Sequence, residues 1–157
     1  MTEAQIERDL WIDQASEQDL SAMAGLLAEL FAQESDFHPD HARQLAGLRQ
    51  ILSHPERGQL FVARVDGEVV GMANALITIS TAEGGEVAIL EDVIVRERHR
   101  RLGVGRRLVG HVLDWAAGQG LRRVSLLTDA ENEAAQAFYG SLGFQPSGMR
   151  VMRRPLP

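Results

Sequence analysis

The stretch Arg100-Arg101-Leu102-Gly103-Val104-Gly105-Arg106-Arg107 decides the fold, because it joins the apolar run Val87–Val95 to a helical pattern. Gly103 and Gly105 have no Cβ, so the backbone can turn tightly and approach a ligand closely. The amides that follow open a helix, where unpaired N–H groups and the positive end of the helix dipole favour an anion. Flanking arginines add charge-assisted hydrogen bonds to phosphate oxygens. The stretch indicates a phosphate-binding loop; a helix start behind a solvated basic turn is the alternative.

Two common phosphate loops do not fit these residues. All 16 basic residues are arginines, and the absence of lysine excludes the Gly-x-x-x-x-Gly-Lys-Ser/Thr loop. The Gly-x-Gly-x-x-Gly loop needs a third glycine where Leu108 stands. The pattern that remains is Arg100-x-x-Gly103-x-Gly105.

That pattern resembles the Arg/Gln-x-x-Gly-x-Gly/Ala signature of the GNAT superfamily of acyl-CoA N-acyltransferases. Upstream, Leu90-Glu91-Asp92-Val93-Ile94-Val95 resembles the strand before the loop in that superfamily. Downstream, Asn132-Glu-Ala-Ala-Gln-Ala-Phe138-Tyr139-Gly-Ser-Leu142-Gly143-Phe144 resembles its closing Asn…Ala-x-x-Phe-Tyr-x-x-x-Gly-Phe segment. The three segments stand in the family's order and imply an acetyl-CoA-dependent N-acetyltransferase that acts on a primary amine of a small molecule.

The resemblance implies acetyl-CoA (coenzyme A) as co-substrate and no metal. The pantetheine arm would pair with backbone groups of Val93 and Val95, on a central strand that splays from its neighbour. Asn132 would cap a helix and touch the same arm, and Phe138, a core aromatic, would pack beside it. The pyrophosphate would lie on the loop, whose cofactor-binding residues are Arg100, Arg101, Leu102, Gly103, Val104, Gly105 and Arg106.

Tyr139 is the only tyrosine of the chain and the candidate general acid. A phenol with an ordinary pKa of about 10 is protonated at neutral pH, so it can protonate a departing thiolate. A core aromatic pair with Phe138 is the alternative. No cysteine is present, which excludes an acetyl-cysteine intermediate and favours direct transfer within a ternary complex.

Glu91 and Asp92 are adjacent carboxylates inside an apolar strand pattern. Strand alternation sends them to opposite faces unless a bulge intervenes. Burying a charge is unfavourable without a partner, so each needs a reason to be there. We favour Glu91 as the base that takes a proton from the incoming ammonium through water, and we leave Asp92 open between a structural and a functional role.

Charge is distributed unevenly along the chain. Residues 1–95 carry 5 arginines and 17 acidic residues, whereas residues 96–157 carry 11 arginines and 5 acidic residues. The acidic half favours a cationic acceptor such as an amine. Nucleic-acid binding is the rival explanation of the basic cluster, but the cluster is short, lacks aromatics and sits in a chain of net charge −6. We expect no nucleic-acid partner.

Composition bounds the remaining alternatives. Residues 1–157, 45% of them hydrophobic, predict one globular domain. No apolar stretch spans a membrane and no signal peptide is visible, and the absence of cysteine fits a reducing compartment, so we expect a cytoplasmic protein without membrane contact. Three alternatives stay open: acetylation of a protein or peptide amine, a non-catalytic acyl-CoA-binding regulatory module, and assembly into a homodimer.

The coarse pattern predicts an α/β fold with the GNAT architecture, a mixed central sheet flanked by helices. Ser16–Asp19 reads as a capping box before a helix that runs to about Gln33. A hairpin turns at Asp66-Gly67, and a final strand is expected over Gly148–Arg154. Further strands are expected at residues 9–15, 87–95 and 123–128, and further helices through about residue 52, after the loop to about 118, and over 132–141.

Isolated aromatic and imidazole side chains carry weaker signals. His38 and His41 stand between the first two predicted helices and are candidates for the acceptor site, with ordinary surface positions as the alternative. His99 is expected to be solvated or a minor phosphate contact. Trp11 is expected in the core.

Overall fold

The computed structural model describes residues 1–34, 36 and 38–157, which form two compact units, Met1–Leu127 and Thr128–Pro157. The prediction of one domain over the whole chain remains a prediction. The helices of the first unit are α1 (Glu3–Asp9), α2 (Leu20–Gln33), α3 (His41–Ser53) and α4 (Val104–Gly118). Its strands are β1 (Leu10–Gln14), β2 (Gly58–Val65), β3 (Glu68–Ser80), β4 (Gly85–Val95) and β5 (Val124–Leu126). The second unit carries α5 (Glu133–Ser141).

The strands form one mixed sheet in the order β1-β2-β3-β4-β5. The first four pair antiparallel with their neighbours, and β5 pairs parallel with β4. The hairpin between β2 and β3 turns at Asp66 and Gly67, where both φ angles are positive, at 50° and 78°. A two-residue turn of that kind matches the twist of the strands, so the predicted hairpin is confirmed.

Alternation along β2 divides the core into two layers. Leu60 and Val62 pack with α2 and α3 in one apolar cluster. Phe61, between them, contacts the rings of His111 and Trp115 on α4, with centroids 5.7 and 5.3 Å apart. Successive side chains of a strand point to opposite faces, so α4 covers one face of the sheet and α2 with α3 covers the other.

A buried ion pair ties the start of α2 to β2. Asp19 accepts a hydrogen bond from the Ser16 amide at 2.8 Å, which confirms the predicted capping box. Both Asp19 oxygens also accept from the Arg64 guanidinium at 2.7 Å. Hydrogen bonding to Arg64 holds the pKa of Asp19 below its usual value. The ion pair holds the start of α2 against β2, and α2 forms part of the wall of the cavity described below.

The first helix was not predicted from the sequence. Its start carries a capping box, in which the Gln5 amide donates to the Thr2 hydroxyl at 3.2 Å and the Thr2 amide donates to Gln5 at 2.7 Å. Ile6 anchors the helix in the core, with 1% of its surface exposed. The Thr-x-x-Gln spacing was readable, but a single buried position gives no helical periodicity.

Two other predictions were wrong. Gly148–Arg154 lie in neither a helix nor a strand, and Met149 and Met152 are 89% and 94% exposed. The segment has no alternating buried face to hold it on a sheet. Trp11 is 67% exposed rather than in the core, because it lies on β1, at the edge of the sheet, where the burial pattern leaves its side chain outside.

Candidate functional site

The loop between β4 and α4 leads into a helix start that has no side-chain cap. After a short 3-10 turn at Glu97–His99, Arg101 and Gly103 both adopt positive φ, at 62° and 83°. Gly103 is the N-cap of α4 and contributes no side-chain hydrogen bond to the first turn. The first amides of α4 therefore lack the side-chain cap that would compete with an anion.

Several arginines around this loop are held by protein partners. Arg100 donates through Nε to the Val95 carbonyl at 2.8 Å, and Arg96 donates to the Val69 carbonyl at 3.1 Å. Arg98 is paired with Glu68. Arg107 reaches the Glu7 carbonyl at 3.1 Å, and so links α4 to α1. These contacts hold the loop and its flanking residues against β3, β4 and α1. The cofactor-binding role of Arg100 to Arg106 stays a prediction.

The pairing between β4 and β5 ends before β4 does. Pairing between β4 and β5 covers Ala88–Leu90 on β4, opposite Val124–Leu126. The last β4 residues, Glu91 to Val95, extend beyond β5, and Val93 and Val95 lie in that extension. Both residues predicted to bind pantetheine therefore lie on the part of β4 that has no β5 partner, and the splay expected from the resemblance stays a prediction.

A β-bulge brings the two adjacent carboxylates to the same place. Asn74 pairs with Glu91 and Met72 pairs with Ile94, so two residues of β4 oppose Ala73 alone. Asp92 is one of the two and has a φ of +56°. Directly paired residues share a face of a sheet, which puts Glu91 on the face of Asn74. Asp92 reaches the same side chain, because Asn74 Nδ2 donates to Asp92 Oδ2 at 2.7 Å.

Asp92 is the carboxylate whose ionisation the site perturbs most clearly. Its pKa is raised to about 6: burial is the main cause, the like charge of Glu91 acts in the same direction, and the hydrogen bond from Asn74 opposes both. A carboxyl with a pKa near 6 is ionised at neutral pH and is still basic enough to accept a proton. Sequence reasoning left this residue open and favoured Glu91, whose role as base stays a prediction.

A cavity of about 560 Å³ opens above this pair on the α2–α3 face. Asn74 and Asp92 form part of its wall. Its apolar wall comes from α2 and α3, and polar groups of the α2–α3 connection and α3 complete it. The lining residues are Leu27, Phe31, Asp36, His38, Pro39, Asp40, Arg43, Gln44, Gly47, Leu48 and Ile51. Of the two histidines proposed for an acceptor site, His38 lines the cavity; His41, the first residue of α3, is not among its lining residues.

Asn74 was missed by the sequence analysis. It is 1% exposed, and its Oδ1 atom is buried without a hydrogen-bond partner among the described residues. The available signal was a single amide between two alanines in the apolar run of β3. Without the register of the sheet, nothing connected that amide to the carboxylates of β4.

His99 contradicts its expected solvation. It is 8% exposed, and its Nδ1 atom is buried without a hydrogen-bond partner among the described residues. Burial lowers its pKa, and the neighbouring charge of Arg98 acts in the same direction. A neutral, buried imidazole behind the loop does not add charge to an anion site.

The second unit holds the remaining predicted site residues together. Asn132 is the N-cap of α5, and its Oδ1 accepts from the Ala135 amide at 3.0 Å. The ring of Tyr139 packs edge-to-face on Phe138 and Phe144, with centroids 5.1 and 5.7 Å apart. Asn132 is thus a helix cap, as predicted, and Phe138 packs on Tyr139 but is only half-buried rather than a core aromatic.

Across residues 1–34, 36 and 38–157, no group of three or more His, Cys, Asp or Glu side chains is placed to hold a metal ion. Within that same part of the chain, no helix is both long and apolar enough to cross a membrane.

Comparison with known proteins identifies the family. Residues 22–144 match the model of the acetyltransferase (GNAT) family. The chain is 32% identical over 112 residues to the aminoglycoside N(6')-acetyltransferase type 1 of Serratia marcescens, across 69% of this chain and 77% of that protein.

Solved structures agree with this assignment. A possible acetyltransferase from Clostridium difficile 630 shares the fold with a TM-score of 0.84 and 20% identity, over 95% of this chain and 99% of that one. The aminoglycoside N-acetyltransferase AAC(6')-Iy, solved in complex with CoA, matches with a TM-score of 0.79 and 26% identity, over 93% and 94% of the two chains. The chain therefore belongs to the GNAT family and is an acyltransferase enzyme.

Proposed function

We propose that this chain is an acetyl-CoA-dependent N-acetyltransferase that transfers the acetyl group directly to a primary amine of a small molecule, in a ternary complex. The observation that carries the proposal is the cavity with Asp92 in its wall, beside the extended edge of β4. That arrangement offers an amine a proton acceptor next to the strand edge where a thioester could lie.

The residues present fit acetyl-CoA. The β4 extension offers backbone groups at Val93 and Val95 that an amide-bearing arm can pair with, as an added strand does. The turn at Arg101 and Gly103 leads into amides that suit a pyrophosphate. When bound, acetyl-CoA supplies the activated acetyl group as a thioester. One relative, AAC(6')-Iy, solved with CoA and with a bisubstrate analogue that contains CoA, supports this choice of co-substrate.

Asp92 is the proposed base for the amine. An amine arrives mostly as an ammonium ion and must lose a proton before its lone pair can attack. The Asp92 carboxylate lies in the cavity wall and accepts that proton, directly or through one water. Glu91, the base favoured by the sequence, is not among the residues lining the cavity, and its like charge raises the pKa of Asp92; it stays the alternative base that the pH dependence of turnover tests.

Tyr139 stays the proposed acid for the departing thiolate, on the strength of the Phe138-Tyr139 segment shared with the family. Its replacement by phenylalanine keeps the ring and removes the proton donor. Turnover should then fall by about 10²–10⁴-fold while affinity for coenzyme A barely changes. Full activity in that variant would remove Tyr139 from the mechanism.

A small cationic molecule is the proposed acceptor. Asp36, Asp40 and Asp92 line the cavity against one arginine, Arg43, which pairs with Asp40 at 3.5 Å. Such a lining attracts a positively charged group. Two relatives that are aminoglycoside acetyltransferases support the same class of substrate. A cytoplasmic location and assembly into a homodimer remain proposals from the sequence.

The test is turnover of acetyl-CoA against a panel of amines that includes an aminoglycoside, a diamine, an amino sugar, an amino acid and a peptide. Released coenzyme A is read with a thiol reagent, to which the chain contributes no thiol, and the acetylated amine is confirmed by mass spectrometry. We expect turnover on a small amine, and a loss of about 10²–10⁴-fold in Asp92→Asn. Turnover on the peptide alone would favour a protein acetyltransferase. Release of coenzyme A that no amine accelerates would favour an acyl-CoA-binding module.

A further inference from the structure

The carboxamide of Asn74 is the one polar side chain of β3 that is buried at the cavity wall. Its Nδ2 donates to Asp92 Oδ2 at 2.7 Å. An ionised carboxylate has no proton to donate, so the NH2 end of the amide must face Asp92. That orientation leaves Oδ1 as a buried acceptor without a partner among the described residues.

An unpaired buried acceptor needs a physical reason. Leaving such a group without a hydrogen bond is unfavourable, and native proteins do so rarely outside sites that bind a ligand or water. Asn74 and Asp92 line the same cavity and are joined by one hydrogen bond. A molecule that donates to Asp92 therefore lies beside the Asn74 side chain, whose Oδ1 is shielded until that side chain turns toward the cavity.

We propose that Asn74 and Asp92 form a two-acceptor site, in which Asp92 accepts one N–H bond of the bound ammonium and Asn74 Oδ1 accepts a second, so that the pair selects acceptors by their number of N–H bonds. This inference rests on the proposed function. Asn74 becomes a specificity-determining residue, because Asp92 alone would accept a nucleophile with a single donor.

The proton balance assigns each N–H bond a destination. A primary ammonium has three N–H bonds, and Asp92 takes the proton of the first, which frees the lone pair. As the new C–N bond forms and the C–S bond breaks, a second N–H proton leaves and the thiolate gains a proton. The third N–H bond survives in the amide product. Asn74 Oδ1 can accept from this third bond throughout the reaction.

Nucleophiles with fewer donors leave the second acceptor empty. A protonated tertiary amine has one N–H bond, and an alcohol has one O–H bond, so each satisfies Asp92 and leaves Asn74 Oδ1 buried and unpaired. Sites built to hydrogen-bond a substrate N–H discriminate strongly against analogues that lack it. The pair thus favours primary amines over fully substituted amines and over hydroxyl groups.

The experiment uses three cations of equal charge and chain length: hexylamine, N-methylhexylamine and N,N-dimethylhexylamine. Their alkyl chain suits the wall made by Leu27, Leu48 and Ile51. Affinities are measured calorimetrically at pH 8 with coenzyme A present, which permits no transfer. In the wild type, we expect affinity to drop by about 10-fold or more on the second methylation, which removes the second donor. In Asn74→Leu, which keeps the volume of the side chain, we expect that drop to shrink to about threefold or less. The remaining drop comes from the size of the added methyl group.

Asn74→Asp is the matched control, because it keeps an oxygen at the position of Oδ1 and removes the donor to Asp92. It should retain the affinity drop on the second methylation. If circular dichroism shows that Asn74→Leu is unfolded, Asn74→Val, which suits a strand, replaces it in the same comparison.

The outcomes separate this inference from the function on which it rests. An equal affinity drop in wild type and Asn74→Leu, in a protein that acetylates amines, overturns the role of Asn74 alone. A wild type that neither binds these amines nor acetylates any amine of the panel overturns both.

Discussion

Asp92 combines two features that a folded chain rarely tolerates in one residue: a carboxylate whose burial raises its pKa to about 6 and a φ of +56°. Such strain persists only where the surroundings enforce it, and it concentrates at functional sites. The adjacent acids Glu91 and Asp92 were visible in the sequence. The bulge that turns both toward Asn74 was not, because a bulge is a property of the register between two strands.

The shifted pKa of Asp92 predicts a pH-dependent stability. Its pKa is 3.8 in the unfolded chain and about 6 in the folded protein, so the native state binds this proton more tightly than the unfolded state does. The bound proton of Asp92 therefore contributes its full stabilisation of the folded state below about pH 4, and this stabilisation is lost as pH rises through about 6. Asp92→Asn removes the buried charge and should raise the free energy of unfolding at pH 8 by up to about 3 kcal/mol.

Chemical denaturation of wild type and Asp92→Asn at several pH values checks this. The advantage of the variant should shrink toward pH 4 and level off above about pH 7. A stability difference that does not depend on pH would show that Asp92 does not carry the shifted proton. Glu91→Gln serves as a comparison, since it removes the neighbouring like charge while leaving Asp92 in place.

At the level of elements, the loop before α4 was the best-predicted part of the chain. The order of strand, basic turn and helix follows from local sequence: an apolar run, a turn with glycine, and a helical apolar stripe. Gly103 carries the φ of +83° that this turn requires. A Cβ there would meet Glu3 Oε1 at an ordinary 3.7 Å, so conformation rather than space restricts the position. Local sequence did not predict α1, because its capping box is followed by only one buried residue and therefore by no helical periodicity.

Two substitutions at Gly103 separate backbone conformation from side-chain volume. Asparagine tolerates a positive φ, whereas the β-branched valine does not. Coenzyme A at 100 times its Kd should stabilise the wild type by about 2.7 kcal/mol. We expect Gly103→Asn to keep most of this stabilisation and Gly103→Val to lose it, as measured by the shift in Tm. An unchanged shift in a folded Gly103→Val variant would remove this loop from the cofactor site.

At the scale of the molecule, the cavity is the feature that no local pattern could predict. Its wall combines residues of α2, α3, β3 and β4, which are brought together only by packing two helices on one face of the sheet. The resemblance predicted the mixed sheet, which the structure confirms. The expected last strand, Gly148–Arg154, was wrong because a strand needs a partner and a buried face, and the sequence of one segment specifies neither. Acidic residues of the N-terminal half do reach the cavity, at Asp36, Asp40 and Asp92.

The dependence of kcat/KM on pH tests the central claim, that Asp92 takes the proton of the acceptor amine. With an amine that turns over, the wild type should show an acidic limb with a midpoint at about 6, because the carboxylate must be ionised to act. Glu91→Gln should keep this limb and move it to lower pH. Asp92→Asn should lose the limb together with about 10²–10⁴-fold of activity. A limb that persists in Asp92→Asn and disappears in Glu91→Gln would contradict the account and return the role of base to Glu91.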